Sequence, residues 1–367
     1  MKITRLELIQ IQPRWLILKM HTDKGIVGLG EPTLEGKTQT LETCVNEMGR
    51  WLIGQDPRRI EHIWQTLYRG SFYRGGPVLL SAISGIEQAC WDILGKHLNT
   101  PIWQLLGGKV RDRIRMYRHV GTDPKAMTKI RQEKQWTMVK TSGIPGVHYI
   151  ETPAVMDKIV SEIAALREAA GRNIDIGIDF HGRVTPALAR RLAQKLEPYD
   201  LMFIEEPVLP GDTPALKQIA ESTTIPIATG ERLFTRWQFQ DIINEQACAI
   251  IQPDVSHAGG IWETRKIAAM AESRNIALAP HCPLGPVALA ACLQVDACSP
   301  NFLCQEQVNM GEGYLKNPFV LKDGYVDVPE GPGLGIELDD DAIEAKRWDG
   351  AWDVPLLELP DGGRTEW

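Results

Sequence analysis

Six residues able to carry charge or move a proton recur at nearly even intervals in the second half of the chain: Asp179, Glu205, Glu231, Asp254, His281 and Glu306. The gaps between neighbours are 26, 26, 23, 27 and 25 residues. Each lies at the end of a short apolar run: IDIGIDFH, LMFIEEP, IPIATGER, CAIIQPDVSH, IALAPHC and NFLCQEQ. One acid after a strand is ordinary, because loops are polar. Six in succession at this spacing point to strand ends that meet at one place. Asp179, Glu205 and Glu231 come from three consecutive runs and would sit side by side. Three carboxylates so placed repel one another unless a cation neutralises them, and oxygen-only ligands select a hard ion such as Mg²⁺. Any one of them alone could instead cap a helix or pair with Arg183 or Arg232. Glu206 adjoins Glu205, and since consecutive strand residues face opposite ways, only one of the two can face the ion.

Two histidines lie near these acids. His181 lies two residues beyond Asp179, on the same side if the strand runs that far, and is the candidate general acid. His281 and Asp254 end adjacent strands across the mouth. A carboxylate bonded to an imidazole fixes its tautomer and strengthens it as a base. His257, three residues past Asp254, is a rival partner, whereas His21, His62, His97, His119 and His148 belong to no constellation. Lys140 ends another run, WTMVKTS, where it could meet a substrate carboxylate, act as a base or lie solvated on the rim. Gly259-Gly260 opens a helical stretch and could form an anion-binding turn. There is no GxGxxG after a strand, no GxxxxGK[ST], no GxSxG and no HExxH, which removes most nucleotide, serine-hydrolase and zinc-protease readings.

Two further runs, IRMYRHVG and WTMVKTS, bring the strand candidates to eight, most followed by a helical stretch such as TPALARRLAQKLE. Repeated β-α units imply parallel strands, and eight imply a TIM-type barrel whose strand C-termini converge on an active-site mouth. Ahead of them, ITRLELIQIQ, WLILKMHTD and GIVGLGE alternate as a small antiparallel sheet with a TDKG turn, and three helical patterns follow. The expected layout is an α/β chain with an α+β capping domain over residues 1–112, the barrel with its metal site over 113–310, and a segment 311–367 that returns to the cap.

Composition agrees with such an enzyme. Of 367 residues 43% are hydrophobic and 24% charged, enough for a sizeable core and against a disordered chain. A net charge of -7 argues against a nucleic-acid partner. No apolar run is long enough to span a membrane. The first residues lack a signal-peptide pattern, and seven cysteines without a CxxC pair read as reduced thiols of a cytoplasmic protein.

The pattern resembles the mandelate racemase branch of the enolase superfamily over essentially the whole chain. The resemblance rests on the three acids, on WDILGK and GPGLGIEL, and on GIDFHGRV, FIEEPV, GERLF, IQPDVSHAGG, APHCPLGPVALAACL and CQEQ. Within that branch these segments are similar to the D-galactonate dehydratase family. The resemblance implies Mg²⁺ on Asp179, Glu205 and Glu231, with His281 as the base for the α-proton and Asp254 raising its basicity. His181 would protonate the departing 3-hydroxyl, and Glu306 would bond the substrate carboxylate and stabilise the enediolate. The product would be a 2-keto-3-deoxy sugar acid. The cap loops around Arg14-Trp15 and Phe72–Gly76 would close over the sugar. Lys140-Thr141-Ser142 stands where many racemases carry Lys-x-Lys, which disfavours two opposed bases. TDPKAMTKIRQEKQW is short for a barrel helix with its loop. Alternatives remain: another aldonate, a racemase or cycloisomerase of the same fold, or a catalytically silent binding relative. The expected partners are a sugar acid and further copies of the chain.

Overall fold

The computed structural model describes residues 1–367. Its first layer is an antiparallel sheet of β1 (Ile3–Ile11), β2 (Trp15–Thr22) and β3 (Val27–Gly30), with β2 in the centre. Helices α1 (Thr38–Leu52), α2 (Ile60–Arg69) and α3 (Pro77–Leu98) pack on it, and a single turn, α4 (Ile102–Leu105), follows. The centre of α3 is buried on all sides. It can lie this close to β3 because Gly28 and Gly30 lack side chains; a Cβ there would collide with the carbonyls of Ala89 and Gly85.

The barrel follows. Its strands are β5 (Arg118–Val120), β6 (Met138–Thr141), β7 (Asp175–Asp179), β8 (Phe203–Glu205), β9 (Ile227–Thr229), β10 (Ile250–Ile251) and β11 (Ala277–Leu278), parallel and in sequential order. They are followed in turn by α5 (Pro124–Glu133), α6 (Pro153–Ala170), α7 (Pro186–Leu196), α8 (Thr213–Ala220), α9 (Thr235–Asn244), α10 (Ile261–Glu272) and α11 (Pro286–Cys298). The eighth run, NFLCQEQ, makes only parallel bridges, Leu278 to Phe302 and Met116 to Gln305, yet these join the last strand to the first. The first run is divided. Its start, β4 (Arg113–Arg115), pairs antiparallel with β12 (Tyr325–Asp327), and only its end enters the barrel. No barrel helix follows the eighth run. The chain turns back through β12 and α12 (Asp340–Ala345) to the first sheet, where Gln12 N–H donates to Lys346 O at 2.9 Å and Trp348 N–H to Gln10 O at 3.0 Å.

Beneath the mouth the barrel is filled. Tyr117, Met138, Phe203, Ala228, Ile250, Ala279 and Cys304 form a closed interior cluster, drawn from seven of the eight runs. At the remaining one, β7, Gly177 leaves its space to the Phe203 ring. This is a packed core with no channel through it, so chemistry is confined to the upper end. The seven cysteines are all unpaired, and no helix is long and apolar enough to cross a membrane.

The helix start after Gly259-Gly260, expected as a possible anion-binding turn, is occupied by a side chain of the protein itself. Glu87, on α3, accepts from Ile261 N at 2.7 Å and Trp262 N at 2.9 Å, the free N–H groups that open α10. Glu31, just after β3, does the same at α11, accepting from Gly285 N at 2.6 Å and Ala288 N at 3.0 Å. The capping layer thus grips the starts of two barrel helices.

Candidate active site

The three acids converge as their spacing implies. One carboxylate oxygen from each of Asp179, Glu205 and Glu231 lies within 4.8 Å of the others. Asp179 and Glu205 end β7 and β8 in register, so their side chains stand abreast. Glu231 sits two residues past β9 and bends inward from its loop. Burial and the neighbouring carboxylates push Glu205 and Glu231 well above the usual carboxylate range. Glu205 Oε2 and Glu231 Oε2 are buried without a hydrogen bond, so each keeps a lone pair available. Crowded, oxygen-only and unsatisfied, this donor set fits a divalent cation. Glu206 turns to Arg232 instead, accepting from Nε at 3.1 Å. The helix-capping or arginine-paired reading therefore applies to Glu206 and not to the trio.

Lys140 is no rim residue. It is 2% exposed and its Nζ lies 2.7 Å from Glu205, 2.9 Å from Glu306 and 3.4 Å from Asp179. Burial alone would lower its pKa, but Glu205 and Glu306 hold it well above the ordinary lysine value. Lys140 is a fixed positive charge inside the acid cluster.

His181 reaches the trio by a different route from strand alternation. The strand stops at Asp179, and His181 adopts φ 50°, in the left-handed region. Its N–H donates to Asp179 Oδ1 at 2.8 Å, and Nε2 lies 3.1 Å from Asp179 Oδ2. Burial draws its pKa down to about 4 against the pull of Asp179. Across the trio, His281 Nδ1 pairs with Asp254 Oδ2 at 2.8 Å, while Nε2 points inward, 3.5 Å from Glu231 and 3.7 Å from Glu306. Burial would lower this imidazole too, but Glu306 and Asp254 outweigh it and push it up to about 9. The rival His257 is 3.6 Å from Asp254 and gives its Nδ1 to Ser81 at 2.8 Å.

Two contacts escaped the sequence pattern. His119, which formed no constellation there, places Nε2 2.7 Å from Glu306 Oε1. Trp367 lies parallel to the His181 ring, with centroids 6.3 Å apart. Trp352 stands edge-on to Trp367, and Arg14 lies over Trp352 at 4.4 Å while also donating to Pro283 O at 3.3 Å. The Arg14 loop thus does reach over the mouth. The other cap loop holds Phe72 and Tyr73 out in solvent, 89% and 84% exposed. The short stretch after β5 is a ten-residue helix capped by Asp123.

The chain is similar to known proteins over both of its parts. Residues 9–107 match the model of the mandelate racemase/muconate lactonizing enzyme N-terminal domain, and residues 124–342 that of the enolase C-terminal domain-like family. D-galactonate dehydratases from Cronobacter sakazakii and Ralstonia nicotianae are each 47% identical to the chain, covering 100% of it and of themselves. A crystal structure of an enolase from Agrobacterium radiobacter, bound to Na and L-malate, superimposes with a TM-score of 0.94 at 30% identity, covering 100% of both chains. Cap, barrel and acid trio together make the chain a member of the mandelate racemase/muconate lactonizing enzyme family, within the enolase superfamily.

Proposed function

We propose that this chain is a hydro-lyase that uses Mg²⁺ to dehydrate D-galactonate to 2-dehydro-3-deoxy-D-galactonate. The observation that carries the reading is the pair of histidines on opposite flanks of the acid trio. His281, backed by Asp254, contacts Glu231, and His181 contacts Asp179. One base and one acid on opposite sides suit removal of a proton from one carbon and a hydroxyl from the next. Full-length relatives with 47% identity bear the name of that activity.

In this reading Asp179, Glu205 and Glu231 would hold the cation, which would supply positive charge near the substrate carboxylate and so acidify the α-proton. His281 Nε2 takes that proton, and Asp254 stabilises the imidazolium through Nδ1. His181 gives a proton to the 3-hydroxyl, which leaves as water. The resulting enol gains a proton at C3 and loses its hydroxyl proton to become the 2-keto acid. Glu306 faces the substrate carboxylate, and Lys140 compensates the acids around it. The unpaired thiols suit a reducing cytoplasm. Further copies of the same chain are its expected protein partners.

The test is a panel of aldonates assayed for 2-keto acid with metal-free and Mg²⁺-loaded enzyme. D-galactonate should be consumed fastest, and only with the ion present. Full activity without metal, or no reaction with any aldonate, overturns the reading.

A further inference from the structure

Glu306 is a buried carboxylate, 1% exposed, with three donors from the protein. Oε1 lies 2.7 Å from His119 Nε2 and 2.9 Å from Lys140 Nζ, and Oε2 accepts from Cys282 N–H at 2.8 Å. The same Oε2 faces the inward nitrogen of His281 at 3.7 Å. The donors differ in how far they commit to Glu306. Lys140 is divided among three carboxylates, two of them in the trio. Cys282 N–H is a single backbone bond on the loop that carries His281 itself. Unlike Lys140, His119 makes no ion pair with the acid trio, and Glu306 is its one acidic partner. It stands beside Lys140 in the β5–β6 register, so both side chains enter the mouth from adjacent strands. At 38% side-chain exposure His119 is also the donor that meets the open mouth.

We propose that His119 is a positioning residue: it holds the Glu306 carboxylate in the orientation that faces His281 and the substrate's carboxylate. This rests on the dehydratase reading above. His119 is the contact to Oε1 that is not shared with the acid trio, and it stops Glu306 from swinging out of line. A carboxylate buried with fewer donors rotates toward whatever polar group or water it can reach.

Two variants separate a hydrogen-bonding role from space filling. His119→Gln places an amide N–H close to the position of Nε2, whereas His119→Phe keeps a ring and removes the donor. His119→Phe should lower kcat on the order of tenfold to a hundredfold, the usual cost of losing a partner that orients an active-site group. KM and Mg²⁺ affinity should stay near their wild-type values, and His119→Gln should recover most of the turnover. A crystal structure of His119→Phe should show the Glu306 carboxylate turned away from His281. Wild-type turnover in His119→Phe, equal impairment in both variants, or an unmoved Glu306 would each overturn the proposal. If the wild-type enzyme dehydrates no aldonate, the functional reading fails, and the position of Glu306 in the variant's crystal structure alone decides the role of His119.

Discussion

Replacing Lys140 by Met tests whether the acid cluster is held together by charge. Met is close in length and apolar, so it fills the space while removing the ammonium that contacts Glu205, Glu306 and Asp179. Losing one partner of a buried ion pair costs about 3–5 kcal/mol, because the remaining charge stays buried and uncompensated. At about 2–4 °C per kcal/mol for large domains, the metal-free variant should melt about 6–20 °C below metal-free wild type. A divalent cation is an alternative source of the missing charge. Binding at a hundredfold excess over Kd adds about 2.7 kcal/mol to either protein, and any gain in affinity adds to that. The variant's trio no longer competes with Lys140 for its lone pairs, so its affinity for Mg²⁺ should rise. The difference in Tm between the two proteins should therefore shrink as Mg²⁺ is added. Thermal melts with and without the ion, alongside calorimetric titration, read both quantities. A Tm difference unchanged by saturating metal, or no difference in its absence, would refute electrostatic coupling between Lys140 and the trio.

Further outcomes follow from the same geometry. Asp254→Asn should reduce turnover on the order of 10²–10⁴-fold, the scale of an acid-base contribution, while Mg²⁺ affinity in calorimetry stays unchanged; lost affinity would make Asp254 a ligand. His181→Asn should block formation of the 2-keto acid yet let a 3-deoxy aldonate exchange its C2 hydrogen in heavy water, whereas His281→Asn should stop both; normal dehydration by the His181 variant removes its role. Gly260, at φ 97°, leaves no room for a Cβ against the Glu87 carboxylate, whereas Gly54, at φ 85°, faces open space. Gly54→Ala should cost about 1–2 kcal/mol from backbone strain alone, and Gly260→Ala clearly more in urea unfolding. Equal costs would mean that the Glu87 contact yields without penalty.

The acid trio was legible because each acid lies at or just beyond the end of its own strand. A parallel barrel turns an even spacing along the chain into adjacency in space, as the register of Asp179 with Glu205 shows. His281 with Asp254 was legible for the same reason. His119 with Glu306 was not, because barrel closure joins the first strand to the last run across nearly two hundred residues, and no local period records that step. Lys140 looked ambiguous because a lysine at a strand end reads equally well as rim or interior; its inward side was settled by the neighbouring strands. The Trp367 contact depends on how the returning chain crosses the mouth, which is a matter of tertiary path and not of pattern. The eighth strand was expected as a full run and is instead a pair of bridges, since the chain there must also supply Glu306 and Gln305 to the mouth and to the barrel seam.

The capping layer does more than cover the site. Glu31 bonds Gly285 and Ala288, at the end of the same loop that begins with His281 and Cys282. Cys282 N–H in turn holds Glu306. A carboxylate from the cap therefore fixes one end of the loop whose other end carries the candidate base, and that loop fixes the carboxylate facing the base. Arg14, from the turn between β1 and β2, adds a bond to Pro283 O in the middle of the same loop. Helix N-termini attract anions because their first N–H groups lack partners. At α11 that attraction is satisfied by the cap instead of by a ligand, which converts a potential phosphate site into a rigid joint between layers. Rigidity there is what acid-base chemistry requires, since a base that drifts by an ångström loses its alignment with the carbon-bound proton. The barrel supplies the converging strand ends, and the cap supplies the hydrogen bonds that tie down the base loop.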